Sequence, residues 1–126
     1  MHEFYIQIDK LNPVEVTNLK AFRIGRIFTK EREIKFIIND RTISATHCTV
    51  SLVNDNKNPH FWIWDGDGKT GSKNKTVVNG LRSLDGSAVQ ETDKGCPVYH
   101  GDFVNIANHT VKFMVSKVTD EGNSTL

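Results

Sequence analysis

The feature that most constrains this chain is its punctuation. Short runs of β-favouring residues recur from one end to the other, each stopped by a turn signal before it reaches helix length. The runs are Phe4–Ile8, Phe22–Phe28, Ile34–Asn39, His47–Val53, His60–Asp65, Thr76–Val78, Phe103–Ala107 and Val111–Val118. Between them stand Asn12-Pro13, Asn39-Asp40, the stretch from Asn54 to Pro59, Asp65–Gly71, Asn79-Gly80, Asp85-Gly86, Gly101-Asp102 and Asn108-His109. Asn-Gly and Asp-Gly tolerate the positive φ angles of tight hairpins. No window carries a sustained 3.6-residue apolar period. Short strands at this spacing predict an all-β fold, a β-sandwich of two mainly antiparallel sheets. The run Phe61–Trp64, apolar on both faces, is read as core packing and favours a sandwich over a closed barrel.

At 126 residues the chain has the size of one domain. About two-thirds of its surface is expected to be buried on folding, enough for one core. The expected domain is 1–119, with the motif-bearing core at about 22–115 and a polar, frayed tail at 120–126. Sixteen basic and fifteen acidic residues give a net charge of +1, so extended polyanions and membrane surfaces have no general electrostatic basis. No run approaches the roughly 20 apolar residues of a membrane span, and the start of the chain does not read as a signal peptide. Cys48 and Cys96 lie far apart, and Cys48 alternates in phase with Val50 and Leu52 as a small hydrophobe. The expected compartment is the cytoplasm, with both thiols reduced.

Several catalytic and metal readings fail on spacing. Gly68-Lys69-Thr70 resembles the end of a P-loop, but Ile63 stands where the motif needs glycine and no helix follows. Asp65-Gly66-Asp67 opens like an EF-hand loop, but Lys69, Thr70 and Thr76 occupy positions that need a ligand, a glycine and a bidentate carboxylate. The five histidines show no zinc-ligand spacing, and Ser44, His47 and Asp40 lack the elbow of a nucleophilic triad. No catalytic residue, metal or cofactor is expected.

Three polar pieces remain, each at a strand–loop junction. They are Ile24-Gly25-Arg26, then Ile43-Ser44-Ala45-Thr46-His47, then Gly71-Ser72-Lys73-Asn74-Lys75-Thr76-Val77-Val78-Asn79-Gly80. A sandwich gathers its loops at its ends, so these pieces offer one guanidinium, an ammonium, hydroxyls and two carboxamides. That set suits a phosphate group with a peptide backbone beside it. Arginine presents a fork to two phosphate oxygens, lysine a point charge and serine a hydroxyl. Asparagine both donates to and accepts from main chain. A phosphorylated side chain carries about −1.5 to −2 charges, which one arginine and one lysine balance locally.

Arranged as Gly-Arg, Ser-x-x-His and Ser-x-Asn-x-Thr-x-x-Asn-Gly, these residues resemble the forkhead-associated (FHA) domain, a phosphothreonine-binding β-sandwich. The resemblance runs from about Phe22 to Val115, with a further match at Gly101-Asp102-Phe103-Val104-Asn105-Ile106. It implies phosphate binding by Arg26, Ser44 and Lys73 and peptide-backbone binding by Asn74 and Asn79. It also implies structural support of the site by Gly25, His47 and Gly80, with recognition loops at one end of the sandwich. The implied function is non-catalytic recognition of phosphothreonine-containing partner proteins in Ser/Thr-kinase signalling, with no nucleic-acid or membrane partner. A pocket for the threonine methyl group belongs to that expectation.

Three departures from the family pattern accompany the resemblance. Ala45 stands where a polar or basic residue often follows the serine, which removes one contact to the ligand. Lys75 replaces a glycine, at a cost of roughly 1–2 kcal/mol if φ is positive there. The segment 65–71 is about four residues longer than the usual link, and two aspartates near the site would either repel a dianion or select basic ligand residues. The alternative reading is a phosphate-independent assembly domain in which the same loops only brace the fold.

Overall fold

The computed structural model describes residues 2–27, 34–66, 71–84 and 95–117. The P-loop-like stretch 68–70, most of the long 65–71 link, the Asp85-Gly86 turn, the ends of two expected strands at 28 and 118, and the 120–126 tail lie outside them.

Among the described residues the secondary structure is all strand. The order is β1 (His2–Ile8), β2 (Val14–Glu15), β3 (Ala21–Gly25), β4 (Ile34–Ile37), β5 (Cys48–Val53) and β6 (His60–Asp65). Then come β7 (Thr76–Val78), β8 (Arg82–Leu84), β9 (Cys96–Val98), β10 (Phe103–Ile106) and β11 (His109–Lys117). One sheet runs β2-β1-β11-β10-β7-β8 and the other β4-β3-β5-β6-β9. Every pairing is antiparallel except β3 with β4, which is parallel and irregular between Arg23 and Ile24. Three short strands, β2, β8 and β9, are additions to the eight expected runs. Each is two or three residues long, and β9 contains Pro97, so none carries a recognisable alternation.

The core follows the period-2 rule. Phe4 and Ile6, Phe22 and Ile24, Cys48 and Val50, Phe61 and Ile63, Val104 and Ile106, and Val111 and Phe113 point inward from the two sheets. Phe61 sits at the centre, edge-on to Phe4 at 5.3 Å and to Phe113 at 4.8 Å between ring centroids. Each such buried ring contributes about 1.5–3 kcal/mol relative to exposure. The expectation that Phe61–Trp64 is core packing holds for two of its four residues. Phe61 and Ile63 are buried, but Trp62 and Trp64 lie on the outer face and are only half-buried. Alternation allows nothing else in a strand whose one face is already inside. No described helix is long and apolar enough to cross a membrane. Neither cysteine is in a disulfide, and burial pushes the Cys48 thiol well above its ordinary range.

Register decides which loops meet. β1 pairs with β11 so that Ile8 faces Val111, and β10 pairs with β7 so that Ile106 faces Thr76. The end of β1, the β10–β11 turn and the start of β7 therefore lie at one end of the sandwich. The β4–β5 loop reaches the same end through hydrogen bonds from Asn74 and His109. Phe103 and Val78 mark the opposite end.

Candidate functional site

The site begins where β3 stops. Gly25 is its last residue, and the β4–β5 loop crosses directly over it. Ile38 N–H donates to the Gly25 carbonyl at 2.9 Å, Arg26 N–H donates to the Ser44 carbonyl at 3.0 Å, and His47 N–H donates to the Ile24 carbonyl at 2.8 Å. A Cβ at Gly25 would stand 2.1 Å from the Ala45 carbonyl oxygen. Only glycine admits this crossing, and the crossing sets Arg26 beside Ser44.

The loop is shaped from within. Asp40 Oδ1 accepts from Thr42 N–H at 2.9 Å and from Thr42 Oγ1 at 2.8 Å, an Asx-type turn. Ile43, fully buried, anchors the middle. His47 closes the loop from below and is also fully buried. Its Nδ1 accepts from Ser44 N–H at 3.1 Å, so its Nε2 carries the hydrogen and donates to the Lys75 carbonyl at 2.7 Å. Burial lowers its pKa, which keeps the ring neutral as this pair of bonds requires. His47 is thus the brace between the second and third motifs.

Asp65, the last residue of β6, organises the third motif. Its buried carboxylate accepts from Ser72 N–H at 2.8 Å, from Ser72 Oγ at 2.5 Å and from Thr76 Oγ1 at 2.8 Å. Three donors compensate a charge that would be costly to bury alone. The chain between them turns through Lys75, whose φ is +61°. Lys73 N–H then donates to Ser44 Oγ at 2.9 Å, and Asn74 Nδ2 donates to the Thr42 carbonyl at 2.7 Å.

Direct bonds therefore connect Arg26, Ser44, Lys73 and Asn74 into one patch, drawn from three separate parts of the chain. Their remaining capacity is what a ligand would meet. Ser44 Oγ accepts a hydrogen bond but its own hydrogen has no acceptor among the described residues. The Arg26 guanidinium has no partner among them either, and its Nε is buried without a hydrogen bond. Such a donor costs about 1–3 kcal/mol while it stays unpaired. Lys73 is exposed, and its ammonium makes no ion pair among the described residues. Asn74 keeps its carbonyl oxygen, while one of its N–H groups is taken by Thr42. The patch can hold an anion and one flanking peptide group.

Asn79 and Gly80 are not brought to this patch. Three residues of β7, about 10 Å at strand rise, separate them from the Lys75 turn. They form the β7–β8 hairpin at the other end, with φ of +51° and +68° and Leu81 N–H donating to the Val78 carbonyl at 3.0 Å. Asn79 Oδ1 accepts from Phe103 N–H at 3.0 Å, and its own N–H donates to the Phe103 carbonyl at 2.8 Å. Nor do Ser44, His47 and Asp40 form a triad, because His47 meets the Ser44 backbone and Asp40 is bound to Thr42 and His109.

The reading from sequence missed Thr42, Asp65 and Thr76 as parts of the site. Asp65 was visible only as the start of a cation-loop lookalike, and Thr42 acts through its backbone carbonyl, which no residue type announces.

The geometry has a counterpart in sequence. The profile of the FHA domain matches residues 22–107, more than half of the chain and all three motifs. The chain belongs to the FHA domain family. Solved structures share the fold at low identity. The FHA domain of MEK1 in complex with a phosphothreonine peptide of HOP1 is 20% identical, with a TM-score of 0.64 over 90% of this chain and 97% of that one. The FHA domain of CT664 from Chlamydia trachomatis is 17% identical, with a TM-score of 0.67 over 92% and 99%. EmbR of Mycobacterium tuberculosis, in complex with a low-affinity phosphopeptide, is 18% identical, with a TM-score of 0.65 over 93% of this chain and 25% of that one. A search of curated protein sequences finds no match. Within this FHA domain, Gly25 and His47 shape the patch while Arg26, Ser44, Lys73 and Asn74 line it.

Proposed function

We propose that this FHA domain is a non-catalytic module that binds phosphothreonine-containing partner proteins, with Arg26, Ser44 and Lys73 on the phosphate and Asn74 on the adjoining main chain. The observation that carries the reading is the unspent set of donors among the described residues: an Arg26 guanidinium with no partner there, on a residue whose N–H is bonded to the Ser44 carbonyl, and a Ser44 hydroxyl whose hydrogen has no acceptor there. A phosphate dianion satisfies both at once, and Lys73 supplies the second positive charge. Two similar solved structures hold phosphopeptides, which supports the same ligand class. The partner is read as a product of a Ser/Thr kinase, and the setting as cytoplasmic signalling without nucleic acid or membrane. Asn79 is left out of the binding set because its carboxamide is engaged at the far hairpin.

Fluorescence anisotropy with three degenerate peptide sets, bearing phosphothreonine, phosphoserine or unmodified threonine, tests this reading. The expected order is phosphothreonine tightest and unmodified threonine undetectable. Equal binding of phosphoserine would remove the threonine preference.

A phosphate-independent assembly domain is the second reading. One observation favours it: the Lys73 N–H and one Asn74 N–H are already used inside the fold. Equal binding of phosphorylated and unmodified sets is its signature.

A further inference from the structure

One cluster of titratable groups lies outside the three motifs, on the flank of the same loop. His109, the first residue of β11, stands between two carboxylates. Its Nδ1 is 2.7 Å from Asp9 Oδ2 and its Nε2 is 2.7 Å from Asp40 Oδ2. A neutral imidazole has one N–H and one lone pair, so it donates to only one of these oxygens. Hydrogen bonds on both sides require the doubly protonated ring. The cluster is an imidazolium clasped by two carboxylates that come from positions 100 and 69 residues away.

The two sides of the clasp differ in stiffness. Asp9 is tied to β11 itself: its N–H donates to the Thr110 carbonyl at 2.7 Å and its Oδ1 accepts from Thr110 N–H at 2.9 Å. Asp40 lies in the β4–β5 loop, and its other oxygen holds Thr42. The Thr42 carbonyl holds Asn74, and Lys73 beside it holds Ser44. A continuous path of hydrogen bonds thus runs from His109 through Asp40 and Thr42 to the residues that line the patch.

We propose that the His109 imidazolium is a positioning group for the recognition loop, holding Thr42, Ser44 and Asn74 in the ligand-ready arrangement, and that its deprotonation weakens phosphopeptide binding. The proposal rests on the phosphopeptide reading of the site. When the ring gives up a proton to water it keeps Nδ1–H on the rigid Asp9 side. Its Nε2 lone pair then faces Asp40 Oδ2, the contact opens, and the loop loses its outer anchor.

Among the described residues the charged groups around the ring are Asp9 from the β1 turn and Asp40 from the β4–β5 loop, with His47 at longer range. Lys10 and Arg41 are their exposed chain neighbours. The hydrogen bond that the ring donates to Asp9, against some desolvation and with help from Asp40, raises the His109 pKa above its ordinary 6.5. The clasp is therefore intact below that value and opens as pH rises through the raised one.

The test has a ligand-free arm and a binding arm. In the ligand-free protein, NMR follows the His109 ring, the Thr42 amide and the Asn74 side-chain amide from pH 5.5 to 9. All three are expected to share one midpoint. In the second arm, anisotropy with the degenerate phosphothreonine set compares pH 6.5 with pH 9. The ligand phosphate has its second pKa near 6, so its own titration does not weaken binding across this range. The native protein is expected to bind about three- to tenfold more weakly at pH 9, one pKa unit of coupling being tenfold.

His109→Arg, a permanent cation with a forked donor, is expected to bind tightly at both values. His109→Gln is expected to bind weakly at both. The same pH profile in the native protein and His109→Arg overturns the proposal, as do Thr42 and Asn74 signals that ignore the His109 midpoint. If no phosphopeptide is preferred at any pH, the reading of the site has failed instead, and the ligand-free arm alone decides whether His109 positions the loop.

Discussion

The loop from Asp40 to His47 is pinned at each end by a histidine, and the two pins are opposite in kind. His47 is wholly buried, neutral, and held between a backbone N–H and a backbone carbonyl. His109 is about one-fifth exposed, at 21%, and lies between two carboxylates. Burial lowers the pKa of the first, while its acidic neighbours raise that of the second. The same residue type, in two environments within one loop's reach, serves as a fixed brace and as a titratable clasp. Burial and partner charge decide the difference, and the residue's name does not.

The comparison breaks most readily at the brace. His47→Ala is expected to cost about 2–4 kcal/mol of stability, from a buried cavity and an orphaned Ser44 N–H and Lys75 carbonyl. Urea denaturation measures it. His109→Gln should cost no more than about 1 kcal/mol, the range of a partly exposed ion pair. Equal losses in the two variants would erase the distinction between them.

Next in size is the acid limb of the stability profile. His47 has a folded pKa below 6.5, so the unfolded chain binds its proton first and stability falls as pH drops below about 6.5. The slope should approach about 1.4 kcal/mol per pH unit while only the unfolded chain takes up that proton. His109 contributes with the reverse sign, as its stabilisation fades when pH rises through its raised pKa. Asp40, held down to about 2 first by Thr42 N–H and then by His109, adds a separate loss below pH 4. A urea series from pH 4.5 to 8 on the native protein and on His47→Gln should show the upper acid limb only in the former.

The smallest effect sharpens the brace itself. Lys75 supplies the carbonyl that His47 grips while holding φ at +61°, a region that costs a non-glycine residue about 1–2 kcal/mol. Lys75→Gly recovers this but adds unfolded-state entropy, so a gain of about 0.5–1 kcal/mol is expected. A loss of stability would mean that the lysine side chain contributes more than its backbone strain costs.

How far all this was legible in the sequence follows from the range of the interactions. Strand positions were readable because period-2 alternation is local, and the Asn79-Gly80 turn because its chemistry is written in two adjacent residues. Gly25 and His47 were readable only as members of a spaced pattern. The outward stance of Trp62 and Trp64 was hidden because an all-apolar run conceals its own alternation. The far placement of Asn79 depended on a three-residue strand lying between two motifs that read as one. The His109 clasp joins residues whose proximity exists only once β1 has paired with β11, so no local pattern records it.

Arg26, without a side-chain partner among the described residues, is proposed to complete its hydrogen bonding on a phosphate. Isothermal titration of the native protein and Arg26→Ala with one phosphothreonine peptide chosen from the degenerate set tests this directly. The expected loss in binding is about 2–5 kcal/mol, the range for removing one member of a desolvated charge pair. Stability should not fall, because the substitution also removes a buried unpaired Nε donor. Unchanged affinity in Arg26→Ala would contradict this role for Arg26.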